Sequence, residues 1–255
     1  MNPHEYETMF RVEERYWWYR GMRRIARAFA PELFRLPPSA RILDAGCGTG
    51  ANLSHVTEGP SGPRGFGVDF SFEALRFCRR RGLARFAGGR LERLPFRDAT
   101  FDAVTCHDVL YAVPDDLAAL SELARVAKPG ATLYVTAAAF DWLKGEQDRA
   151  SRGVRRYTAR EMTEKVETAG FSVLRTSYAN IFLAVPVFIA RRVQSFFVRG
   201  RRPEEARSEF HFTPGLLNGP LTALLGLEAA LVRGLRLPFG VSLLLKASRG
   251  LDSGG

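Results

Sequence analysis

"RILDAGCGTG", residues 41–50, decides how this chain is read. A short apolar run from Arg41 ends at Asp44 and Ala45, and the chain then turns through Gly46, Gly48 and Gly50. The run predicts a buried strand. The glycines let the backbone turn tightly and bring its N–H groups close to a ligand. Nineteen residues beyond Gly50, "GVD" ends a second apolar run on Asp69. A carboxylate at that spacing can accept hydrogen bonds from both hydroxyls of a ribose. A glycine-rich turn alone is weak evidence. The turn, the helix after it, the next strand and its terminal acid together are strong evidence.

The same alternation continues outward. Strand-like runs cover 65–70, 84–89, 101–109 and 131–139, with helical stretches at Ala51–Glu58, Ser71–Arg81 and Asp115–Ala127, the last stopped by "KPG". Strand–helix alternation predicts an α/β fold with a doubly wound, mostly parallel sheet. Before it, residues 4–34 read as two helices broken near Gly21, and Pro37–Pro38 is a linker. After it, 140–157 reads as a polar loop. Thr158 and Glu161 form a capping box for a helix to Gly170, and 171–179 and 241–249 are strands. Between those strands lie an apolar run at 181–198, broken by Pro186, Arg191 and Arg192, and a helix at Leu216–Arg233. The domain plan is a helical lid at 1–38 and one α/β domain at 39–255, with a helical insertion at about 181–238.

The totals narrow the partners. Lys and Arg number 37 against 27 Asp and Glu, a formal net charge of +10. Such a balance suits nucleic acid, an anionic membrane surface, a phosphorylated substrate or simply a solvated arginine-rich exterior. Cys47, Cys78 and Cys106 have no C-x-x-C spacing, which argues for neither a disulfide framework nor a metal site. No uncharged apolar stretch of 18 residues occurs, and the first residues lack the pattern of a secretory leader. The expectation is a cytoplasmic protein, peripheral at the inner membrane face if it meets lipid.

Asp44 lies two positions before Gly46. An acid there repels a phosphate and favours an ammonium, so the turn suits an amino acid joined to adenosine. The stretch closely resembles motif I of the class I methyltransferases that use S-adenosylmethionine. "GVDFS", "LPFRDATFDAV" and "LARVAKPGATL" resemble later motifs of that family in order and spacing, over Arg41 to about Ala139. "RYWWYR" with "RRYT" resembles a bacterial subgroup, methyltransferase type 11. The resemblance implies a Rossmann-like sheet of seven strands with an N-terminal helical lid and extra C-terminal helices. It implies S-adenosylmethionine as cofactor, with Asp44, Gly46 and Gly48 along the methionine moiety, Asp69 on the ribose, and Phe70 near the adenine. Arg90 stands where the family often has an acid, so adenine recognition falls to the Leu91 backbone N–H. His107 and Asp108 fall beside the methyl group. No Asn/Asp-Pro-Pro-aromatic signature follows, which counts against methylation of base amines. Ala112 replaces a histidine found in many relatives.

Methyl transfer from a sulfonium chiefly needs positioning and exclusion of water. A base is required only for a hydroxyl or a protonated amine. Candidates are His107, Asp141 and His211, with Tyr157 orienting the acceptor and Arg155 and Arg156 binding an anionic group. The rings of Tyr16–Tyr19 can close over a sulfonium, since an aromatic face attracts a cation by roughly 0.5–2 kcal/mol. Trp17 and Arg20 are the residues expected at the cofactor. The leading function is methyl transfer to an oxygen or nitrogen of a small-molecule, glycan or lipid-linked acceptor, with no DNA partner. The alternatives are an RNA methyltransferase and a non-catalytic cofactor-binding protein. Residues 181–202 either lie on a membrane or cover the acceptor pocket, within one chain or in a homodimer.

Overall fold

The computed structural model describes residues 3–59, 61–145, 148, 153–197 and 215–250. The side chains of residues 3, 4, 190 and 192–197 lie outside that description, as do the sequence candidate His211 and residues 198–202 of the span 181–202. Seven strands form one sheet: β1 (Arg41–Ala45), β2 (Arg64–Asp69), β3 (Phe86–Gly88), β4 (Phe101–His107), β5 (Ala127–Ala138), β6 (Phe171–Ala179) and β7 (Ser242–Arg249). Their order is β3-β2-β1-β4-β5-β7-β6, parallel except for β7, which runs antiparallel to β5 and β6. The order reverses between β1 and β4, the position where open α/β sheets bind ligands.

Helices cover both faces, because the central strands are apolar on both. One face buries Leu43, Val104 and Val135 under α5 (Asp116–Val126) and α6 (Ala159–Thr168), through Leu120, Leu123 and Met162. The other buries Ile42, Ala103 and Tyr134 under α2 (Trp17–Phe29) and α8 (Asn218–Gly234), through Ile25, Phe29, Leu225 and Val232. Local chemistry starts these helices where the sequence placed them. Asp115 accepts the Ala118 N–H at 2.9 Å. Ser71 accepts from Ala74 at the head of α4 (Phe72–Arg80), and the Thr158–Glu161 capping box is complete. The short α3 (Ala51–Val56) leaves the glycine turn.

Four expectations need correcting. The N-terminal helices break after α1 (Pro3–Val12), at Glu13–Tyr16, and not at Gly21. Gly21 is interior to α2, where a Cβ would sit 2.1 Å from Leu225 Cδ1, so its bareness seats α8 rather than ending a helix. Pro186 does not divide 181–197, which is one helix, α7 (Ile181–Phe197); a proline this early removes one ladder bond and the helix continues. β4 ends at His107 because Asp108 takes φ +50. "KPG" lies in β5, beside the register shift between Phe101 and Ala103.

Candidate active site

The glycine turn sits at the switch point. Gly46 and Cys47 both donate to the Val68 carbonyl, at 2.8 and 2.9 Å, pinning the turn to β2. Gly46 has φ +79, and a Cβ there would lie 2.4 Å from Val109 Cγ2. Gly48, at φ +53, donates to Asp69 Oδ2 at 2.9 Å, while Ser71 N–H donates to Asp69 Oδ1 at 2.9 Å. Each carboxylate oxygen thus takes one backbone N–H and keeps acceptor capacity for a hydroxyl. Asp44 is buried, with the Thr105 hydroxyl as donor at 2.9 Å. Burial pushes its carboxyl up to about 7. Burial also raises Asp69, and the nearby Asp44 charge adds to it.

At the end of β4, burial lowers the His107 imidazole to about 4, so it is neutral at pH 7. Its ring meets Tyr134 edge-on, with centroids 5.4 Å apart. Asp108 follows at φ +50 and stays solvent-accessible. The protein atoms packed around its carboxyl raise it above the ordinary range, against the opposing effects of His107, the Thr136 hydroxyl and Arg156.

The N-terminal helices form a roof over these groups. Tyr6 is buried, and burial followed by the Asp69 charge raises its phenol to about 12. Met9 Cε is 3.2 Å from the point a Cβ on Gly48 would occupy. Glu13 accepts from the Thr49 hydroxyl at 2.6 and 2.7 Å and pairs with Arg81. Burial raises the Glu13 carboxyl, while Thr49 and Arg81 oppose the shift. The Tyr19 phenol is raised by burial and then by the charges of Glu13 and Asp108.

Tyr6 and Tyr19 are the rings that meet the charges of Asp69 and Asp108; Tyr19 belongs to the aromatic run read from sequence, and Tyr6 was not singled out. Trp17 anchors α2: its N–H donates to Asn218 Oδ1 at 2.6 Å, and its ring packs on the core beside Trp18. Arg20 is exposed and lines a cavity on the outer side of α2 with Glu14, Arg23, Arg24, Arg27, Phe34 and His55. Phe70 is 65% exposed at the rim beside Asp69. Leu91 is buried, and Arg90 is occupied by Glu92 at 2.9 Å.

Tyr157 is not in the cleft. Its side chain is 2% exposed and its hydroxyl donates to Asp116 Oδ2 at 2.8 Å, beneath α5, so it is a core residue. Arg155 also pairs with Asp116, at 2.8 Å. Arg156 makes a buried two-pronged pair with Asp148, at 2.8 and 2.9 Å, and donates to the Ala139 carbonyl. Asp141 is held by Lys144. The aspartates divide accordingly. Asp98, Asp102, Asp116, Asp141 and Asp148 each have a Lys or Arg partner, and Asp115 is taken up in capping α5. Asp44, Asp69 and Asp108 have no Lys or Arg ion pair among the described residues, although the chain carries ten excess positive charges. Uncompensated carboxyls at one cleft favour a cationic ligand. S-adenosylmethionine fits that demand, with a sulfonium, an ammonium and a ribose.

This sheet order, turn and terminal acid define the class I methyltransferase fold. Residues 43–135 match the family model described as Methyltransferase domain. It is 38% identical over 140 residues to the demethylmenaquinone methyltransferase of Mycobacterium sp. (strain KMS), covering 52% of this chain and 60% of that protein. It is 40% identical over 98 residues to that of Corynebacterium kroppenstedtii, covering 38% of this chain and 42% of that protein. The chain thus spans 60% or less of the length of these two relatives. Among solved structures it resembles an S-adenosylmethionine-dependent methyltransferase from Mesorhizobium loti, with TM-score 0.56, 16% identity and coverage of 87% and 98% of the two chains. It also resembles the [4+2]-cyclase SpnF, with TM-score 0.57, 23% identity and coverage of 89% and 79%. These two likenesses concern the fold, which alone does not fix the reaction.

Proposed function

We propose that this chain transfers a methyl group from S-adenosylmethionine to a small, lipid-like acceptor. The observation that carries the reading is the set of three cleft carboxyls, Asp44, Asp69 and Asp108, which make no ion pair with Lys or Arg among the described residues of a basic chain. When bound, S-adenosylmethionine supplies an electrophilic methyl on a sulfonium whose departing sulfur is neutral. Asp69 accepts from the ribose hydroxyls. Asp44 and the Gly46–Gly48 turn hold the amino-acid end, and Phe70 and the Leu91 N–H bracket the adenine. Tyr6 and Tyr19 exclude water and turn phenol rings toward the cation.

A base is needed if the acceptor gives up a proton. His107, lowered to about 4, provides little driving force at pH 7. Asp108 is raised instead, and is the better-matched acceptor for that proton. A lipid-like acceptor is supported by the names of the relatives, whose substrate is a demethylated menaquinone. It is also supported by an aromatic bank at the ends of β5 and β6. There Phe140 stacks on Tyr178 at 4.8 Å and on Phe239 at 5.5 Å, and Trp142 stays 48% exposed.

The test is incubation with methyl-labelled cofactor and a demethylated quinone dispersed in detergent. Label in the lipid extract with release of S-adenosylhomocysteine is expected. A chain that binds the cofactor and never consumes it contradicts the proposal.

A further inference from the structure

α8 has an inner and an outer face of different character. The segment Gly215–Gly234 has a mean hydropathy of 1.4 and is long enough to cross a bilayer, yet only 28% of it is buried. The inner face, with Thr222, Leu225, Ala229 and Val232, is committed to α2 and the sheet. The outer face carries Leu227 and Leu231, which are 65% and 38% exposed; Leu216 precedes the helix at 92% and Leu235 follows it at 56%. The only carboxylate in α8, Glu228, is buried and accepts the Asn180 N–H at the head of α7. This pins the start of α7 to α8 and brings in Phe182, which is 47% exposed. No acid therefore remains on the exposed side of α8.

Beside this face runs a row of arginines. Arg20, Arg23, Arg24 and Arg27 recur on α2 at helical spacing and line one cavity of about 260 Å³, where Glu14 is the single acid. Arg24 joins the row to α8: its Nη1 donates to the Thr222 carbonyl at 3.3 Å and lies 3.2 Å from the Cβ position of Gly226. Arg27 lies over the Phe34 ring at 4.5 Å. The buried Nη1 of Arg23 has no hydrogen-bond acceptor in the cavity. Arg233 and Arg236, both exposed, bracket the far end of the apolar stripe.

We infer that the outer face of α8 and the arginine row of α2 form a docking surface for an anionic bilayer. Leucines face the acyl boundary, and guanidinium groups meet lipid phosphates. Both halves are needed for interfacial binding: apolar area alone gives no preference for anionic lipid, and a basic cavity alone gives no reason for exposed leucines. The charge complementarity is specific to this side, where the row of arginines meets a helix whose one acid is hidden. The inference deepens the proposed function, and rests on it only for its purpose, by saying how the chain would reach a lipid-like acceptor. It differs from a transmembrane reading because the inner face of α8 is core.

The test is co-sedimentation of the full chain with vesicles of phosphatidylglycerol and phosphatidylcholine, against phosphatidylcholine alone. Binding to the anionic vesicles at low salt, and its fall as salt rises, is expected. A basic residue near such a surface is worth about fivefold in partitioning. Arg24→Glu with Arg27→Glu should therefore weaken binding at least about twentyfold. Leu227→Asn with Leu231→Asn alters exposed positions and should weaken binding at every salt concentration. S-adenosylmethionine affinity serves as the folding control and should not move in either variant. No co-sedimentation at low salt overturns the inference. So does wild-type binding by both variants, or a dimer in sedimentation velocity that the leucine variant dissolves. If vesicles are not bound but the dispersed quinone is methylated, this inference falls and the functional reading stands.

Discussion

The floor of the cleft, residues 41–108, and its roof, residues 3–29, are built by different rules. The floor is held by contacts between neighbouring strand ends, such as Gly48 N–H to Asp69 and Thr105 to Asp44. Its acids are fixed by backbone turns that tolerate little besides glycine. The roof is held by side chains reaching across long stretches of chain: Glu13 to Thr49, Trp17 to Asn218, Gly21 against Leu225. A motif can specify the first kind of structure on its own. The second depends on partners up to two hundred residues away.

The difference predicts where substitutions hurt. The largest effect belongs to the floor. Gly46→Val demands a β-branched residue at φ +79 and drives it into Val109. Strain and overpacking together should cost about 3–5 kcal/mol, visible as a lowered midpoint in urea with cofactor binding lost. A variant as stable as the parent would show that the turn is not fixed as described. Next is the chemistry. If Asp108 takes the proton, Asp108→Asn should lower turnover by about 10²-fold or more at little change in KM. His107→Gln should cost far less, and the reverse ranking would move the base to His107.

The roof comes third. Glu13→Ala leaves Arg81 without its buried partner and frees α1 from Thr49. It should cost about 2–3 kcal/mol. Glu7→Ala breaks an exposed pair with Arg11 and should cost about 0.5 kcal/mol or less. Hydrogen exchange of the α1 amides reads both directly. Equal protection in the two variants would break the distinction between roof and floor.

The smallest effect is a pH dependence. Before ligand binds, burial holds Asp44 at about 7, so much of it is protonated below neutrality. A cation favours the ionised form and lowers that value. Affinity for S-adenosylmethionine should then rise with pH through about 7, by at most about tenfold per unit, and level off above it. Asp44→Asn should flatten the profile. A parent profile that is already flat from pH 6 to 8 would remove Asp44 from the cation's surroundings.

Legibility followed the same division. The count of seven strands came from the family resemblance; the strands from Arg41 to Ala139, the helix start at Asp115 and the capping box at Thr158 were readable, because glycine spacing, helix starts and apolar runs are local signals. The order of the last two strands was not, since antiparallel insertion of β7 depends on pairing with β5. Among site residues, the floor positions Asp44, Gly46, Gly48 and Asp69 come together at one cleft. Tyr157 was misread because "RRYT" gives no hint that its hydroxyl is buried on Asp116. Tyr6 went unnoticed, and within the run Tyr16–Tyr19 the choice fell on Trp17 rather than Tyr19. A helix's inward ring is fixed by what it packs on, and here that is the sheet end and α8. Glu228 was equally invisible, since an acid in an apolar helix reads as exposed until its amide partners are known.

The account rests on Asp69 as the ribose acid of a cation-binding cleft, and calorimetric titration with S-adenosylmethionine tests that most directly. The parent should bind, and Asp69→Ala, checked for folding by circular dichroism, should bind about 10- to 100-fold more weakly, the loss of roughly 1.5–3 kcal/mol of charge-assisted hydrogen bonding. Unchanged affinity in a folded Asp69→Ala variant would contradict the account.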